Sequence, residues 1–216
     1  MNGSNISVKE ADRRIFRSLL DDGLADIFLS SFLLFWAVAP YLSTYIGDFW
    51  SSASFLPVWA GLYLVLYLVR KHVIQPRAGT VKFGVARRKK LTAFSWIMIV
   101  LNVAFMILGI FAFFIPSGSG YTRTLPVSLM ILVSFSLAGY FLDAIRFYVY
   151  GILWAGGFFV GEWLYQVYGF AHHGYPVTFG AIALLIFLTG IYNLLTFIRE
   201  NPLPGDDQLE WEGNNG

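Results

Sequence analysis

The chain has 216 residues, 57% hydrophobic, 19% aromatic and only 13% charged. A water-soluble domain carries roughly 25% charged residues, so water alone cannot clothe this surface and lipid is the expected solvent. The net charge of +2 is too small to point to nucleic acid, and the absence of cysteine excludes disulfides, thiolate metal sites and thiol catalysis.

Residues 1–22 form the first cytosolic segment. Ser7-Val8-Lys9-Glu10 is a capping-box pattern, in which Ser7 and Glu10 satisfy free amides at a helix start. Val8, Ala11, Ile15, Leu19 and Leu20 recur at helical spacing, with Lys9, Arg13, Arg14 and Arg17 on other faces. This predicts an amphipathic helix on the anionic inner leaflet, ending at Gly23 and serving as an anchor and topogenic signal or as a partner-binding helix.

A membrane-spanning helix needs about 20 apolar residues to cross about 30 Å of hydrocarbon. Six stretches between residues 23 and 199 meet that need: Leu24–Ile46, Phe55–Ile74, Leu91–Ile115, Leu125–Leu142, Phe147–Val167 and Val177–Ile198. None alternates as a barrel strand would. Backbone polar groups in lipid must then bond within their own segment, so the predicted fold is all-α: a polytopic transmembrane helical bundle. Ala37-Val38-Ala39 imitates a signal-peptide cleavage site, but Pro40 follows it directly, and an uncleaved first helix is expected. If Leu125–Val167 were one helix it would reach roughly 65 Å. It should therefore fold back near Asp143–Arg146, although no proline or strong turn signal marks the place.

Orientation follows from the basic residues. All but Arg123 of the 15 Lys and Arg residues fall before the first span, in alternate breaks after it or, for Arg70 and Lys71, in the last turn before such a break. Both termini are therefore expected in the cytosol, with the plasma membrane as the site.

Between spans two and three lies a basic cytosolic loop, residues 75–90. Pro76 ends the second span, and Thr80-Val81-Lys82-Phe83 alternates between Gly79 and Gly84, which suggests a strand or small hairpin against the headgroups. Arg77, Lys82, Arg87, Arg88, Lys89 and Lys90 are the expected contacts for anionic lipid, at about 1 kcal/mol each near the surface, or for a protein partner. The tail, residues 200–216, is acidic and proline-containing and reads as disordered.

Ionisable groups inside a span are costly and so are functional candidates. Glu162 is the best of them: near the outer end of span five, it can carry a proton, bind a cation or hold helices together. Its candidate partners are Arg123, His172 and His173. Asn102 and Asn193 lie deeper, as bridges between helices or as further members of a transport path. Asp143 and Arg146 read as a local turn clamp. Gly151, Gly157 and Gly161 allow close helix packing, within one chain or between subunits. Two histidines and a glutamate fall short of the ligands zinc usually takes. No metal, cofactor or catalytic residue is expected.

Several short stretches are familiar together: Asp22-Gly23-Leu24-Ala25-Asp26, Pro76-Arg77-Ala78-Gly79-Thr80-Val81-Lys82-Phe83, Arg146-Phe147-Tyr148 with Tyr150-Gly151, and Pro202-Leu203-Pro204. The set resembles a family of bacterial and archaeal multi-span integral membrane proteins with no assigned activity. It implies a recurring membrane fold and no chemistry. The functional expectation is an accessory, assembly or lipid-interacting scaffold subunit, alone, as a homo-oligomer or in a larger complex. The alternative is a small transporter or channel for a cation or proton using Glu162.

Overall fold

The computed structural model describes residues 22–78, 85–114 and 120–203, and among them it is helical with no strand. The N-terminal amphipathic helix, the alternating stretch Thr80–Phe83 with Lys82, and the acidic tail from Pro204 onward lie outside the described residues. The helices are α1 Leu24–Ile46, α2 Asp48–Ala53, α3 Phe55–Val69, α4 Gln75–Ala78, α5 Val85–Phe114, α6 Gly120–Leu142, α7 Arg146–Tyr168 and α8 Tyr175–Glu200. Four described segments are long and apolar enough to cross a membrane: Leu24–Ile46, Asp48–Arg77, Gly120–Leu142 and Ala171–Glu200. Their outward side chains include large apolar ones such as Leu56, Tyr63, Leu129, Leu184 and Tyr192, each more than half exposed. In water such a surface would drive association.

A π-turn at Arg70–Ile74 joins α3 to α4, with the Gln75 amide reaching back five residues to Arg70 O. Pro76 has no amide to give the carbonyl four residues before it. A register shift one turn ahead of the proline lets the helix absorb that loss.

Contacts divide the chain into two compact units. In the first, made of residues 22–35, 41–78 and 183–203, α1 runs antiparallel to α3 through stacked and edge-on aromatics. Phe28 lies 4.7 Å from Trp59, and Phe35 lies 4.8 Å from Phe55. The start of α1 also lies beside the end of α8. Gly23 is in the left-handed region (φ 76°), and its Cα faces the carbonyl of Gly190 with no room for a side chain. Leu24, Ile74 and Phe197 close that end in a small apolar core.

The second unit comprises residues 36–40 and 85–182. Its spine is an antiparallel hairpin of α6 and α7. A methyl on Gly151 would stand 2.7 Å from Phe135 Cβ, and one on Gly139 would stand 2.5 Å from the Tyr148 ring. The reversal between them is a Schellman motif. Asp143 takes the left-handed conformation (φ 55°), and the Ala144 amide donates to Gly139 O at 3.1 Å. Aspartate tolerates this conformation better than most residues, which explains a reversal that neither glycine nor proline announces. The first two turns of α8 pack antiparallel on α7 as well. Methyls built on Gly157 and Gly161 would meet Ile182 at 2.8 Å and Tyr175 at 2.6 Å. All three packing glycines thus make contacts inside the chain.

Candidate functional site

The buried face of α7 runs Phe147, Tyr150, Gly151, Trp154, Ala155, Phe158, Gly161 and Glu162. These positions recur every three or four residues, so they form one stripe along the helix. The stripe is apolar until its last member. Glu162 ends it, 2% exposed.

Three elements converge on that carboxylate. Gln166, one turn along α7, donates its Nε2 hydrogen to Oε1 at 2.8 Å. His173, in the short 3-10 turn Ala171–Gly174, meets Oε2 through Nδ1 at 3.0 Å. A carboxylate has no hydrogen to give, so Nδ1 is the donor while Glu162 is ionised. Gly120, the first residue of α6, lies against the carboxylate so closely that a Cβ would collide with it. A negative group there also faces the positive end of the α6 dipole.

The turn that delivers His173 is unusual. His172 and His173 have φ of 52° and 55°, and Gly174 follows at 62°. Left-handed backbone at a residue other than glycine costs on the order of 1–3 kcal/mol and persists only where its surroundings hold it. Here the His173 ring sits 4.4 Å from the Tyr165 ring and 5.7 Å from that of Tyr175. His173 remains half exposed, at 49% of its side chain, while its partner Glu162 is buried.

A second polar cluster lies in the other unit. Asp26, fully buried in the first turn of α1, accepts a hydrogen bond from Asn193 Nδ2 at 3.2 Å. Asp22 caps the same helix start, accepting from the Leu24 amide at 3.0 Å. Beside it is a cleft of about 240 Å³ lined by Asp22, Leu24, Phe28, Tyr63, Tyr67 and Arg70. Its walls are apolar and its rim carries one acid and one base.

The remaining sequence candidates are dispersed. Asn102 is exposed and bonds back to Met98 O of its own helix at 2.7 Å, so it joins neither cluster. Arg77 donates to Val73 O at 2.8 Å, and Lys89 is exposed. Lys90 pairs with Asp143 at 3.4 Å and lies 5.1 Å from the Tyr140 ring, tying the start of α5 to the end of α6. Lys90, expected to contact anionic lipid, thus pairs with Asp143 of the expected turn clamp. The side chains of Arg87, Arg88 and Arg123 lie outside the described residues. Among the described residues no third histidine or carboxylate joins Glu162 and His173 in a metal-binding group.

Sequence reasoning missed Gly120 and the pairing of Asp26 with Asn193. One signal was available for the second. Gly23 and Asp26 are three residues apart, as are Gly190 and Asn193, so a glycine and a polar residue share a face on each helix.

Fold and site together define an all-helical protein with membrane-length apolar helices and a buried carboxylate held by a histidine and a glutamine. Comparison with protein families, curated proteins and solved structures finds no match for this chain.

Proposed function

We propose that this is a six-crossing integral protein of the plasma membrane, with both termini in the cytosol, acting as an accessory or assembly subunit or a lipid-interacting scaffold. One observation carries the reading: the carboxylates buried within α1 and α7 are held by neighbours in the same unit, Asp26 by Asn193 and Glu162 by His173 and Gln166. Polar groups satisfied in this way hold helices together in lipid, where an unmet one is expensive. The contact between the start of α1 and the end of α8 supports an even number of crossings. The cleft lined by Asp22 and Arg70, apolar within and charged at its rim, supports contact with lipid headgroups.

The test is anionic-lipid binding to the detergent-purified protein, followed by native mass spectrometry. Replacing Arg87, Arg88 and Lys89 together with glutamine should weaken binding by about fivefold per residue removed, from roughly 1 kcal/mol each. Lys90 is left in place because its ion pair with Asp143 would confound the result. Unchanged binding removes lipid contact from the reading.

A second reading is a path for a proton or cation through Glu162. It is favoured by one observation, the half-exposed His173 seated on that buried carboxylate. Flux in proteoliposomes that Glu162→Gln abolishes supports it, and flux that the variant leaves intact removes Glu162 from the path.

A further inference from the structure

We propose that Glu162 and His173 together form a reversible proton-binding site, loaded through the imidazole from the membrane face that carries the 171–174 turn. The inference deepens the second reading by naming the ion and the residue that delivers it, but proton binding does not require net transport.

The geometry provides both halves of such a site. Glu162 is 2% exposed and has no route of its own to bulk water, whereas His173 is half exposed. Only 3.0 Å separates Nδ1 from Oε2, a distance across which a proton can pass directly. The step balances as follows. A proton from water binds Nε2, making the imidazolium. The Nδ1–H bond then breaks as an O–H bond forms at Oε2. Glu162 becomes a neutral acid, and His173 is left neutral with its hydrogen on Nε2. The hydrogen bond survives with its roles exchanged, since the acid O–H now donates to the Nδ1 lone pair. Loading therefore does not pull the turn away from α7.

Gln166 fits either state, because its amide donates to Oε1 whether or not Oε2 carries the proton. Among the described side chains, the other ionisable groups around the pair are Tyr165 on α7, His172 in the turn and Tyr175 on α8, while α6 presents Gly120. No other described carboxylate joins the pair to share or repel the charge. The polar lining also continues inward. Thr124 and Ser128 follow Gly120 at four-residue spacing on α6, both buried. The Ser128 hydroxyl meets no hydrogen-bond partner among the described residues. A simple clamp at the end of the hairpin would give no reason for a polar group at that depth.

The experiment is infrared difference spectroscopy of the full chain in lipid vesicles during a pH jump applied to either face. The wild-type protein should show a protonated-carboxyl band that Glu162→Gln removes. His173→Asn is the discriminating variant, because asparagine accepts left-handed backbone and can still donate to Glu162 but cannot relay a proton. It should slow the appearance of the band by about 100-fold while leaving the thermal unfolding temperature near that of the wild type. A jump on the face carrying the turn should load the band faster than one on the opposite face. Absence of a Glu162 band across the titration, or a band whose kinetics ignore His173, overturns the proposal. A normal band without proton flux in proteoliposomes overturns the transport reading alone.

Discussion

Glu162 illustrates how a single side chain acquires its meaning from its neighbours. On its own helix it is the polar end of an apolar stripe; with Gly120, Gln166 and His173 around it, it becomes a junction of three elements. The absence of a side chain at position 120 is as necessary as the donors. Gly120→Ala should collide with the carboxylate and cost about 1–3 kcal/mol, read as a lower unfolding temperature in detergent, whereas in a Glu162→Ala background the same substitution should cost little. Gly23 faces two demands at once, a left-handed backbone and the carbonyl of Gly190. Gly23→Ala should therefore destabilise more than Gly47→Ala, which shares the positive φ but faces open space. Parallel thermal unfolding of the two variants checks this.

The hairpin of α6 and α7 shows why apolar length predicts a helix better than it predicts the helix's limits. The helix that holds the expected span from Leu125 already runs from Gly120, and the one that holds the expected span from Leu91 runs from Val85. Backbone hydrogen bonding continues past the hydrocarbon boundary, where hydropathy falls away. The reversal at Asp143 was legible as a length argument only, because its signal is an aspartate in a conformation that glycine usually fills. Absence of native cysteine allows a direct test of the pairing. Phe135→Cys combined with Gly151→Cys should form a disulfide under mild oxidation, detected by a mobility shift, after the helices part by about 1 Å to reach disulfide spacing. Phe135→Cys with Gly157→Cys, almost two turns out of register, should not.

For the chain as a whole, the placement of both ends is the property that can be checked most simply. Reporter fusions before α1 and after Arg199 should both score as cytosolic, and an opposite result for the second would require an odd number of crossings. The apolar runs were sufficient for helices of membrane-crossing length, because the bilayer imposes a length rule that acts on each segment separately, and the bias of basic residues supplies the orientation that the fusions test. Glu162 was conspicuous for the same reason: a charge in an apolar run stands out without knowledge of the fold. What the linear order could not supply was partnership. His173 rather than His172 reaches the carboxylate because of a left-handed turn, Asn193 finds Asp26 across 167 positions, and Lys90 turns to Asp143. Those choices were decided only by the tertiary structure, since hydrogen bonds and close glycine contacts depend on distances of a few ångströms between helices, and no local pattern encodes them.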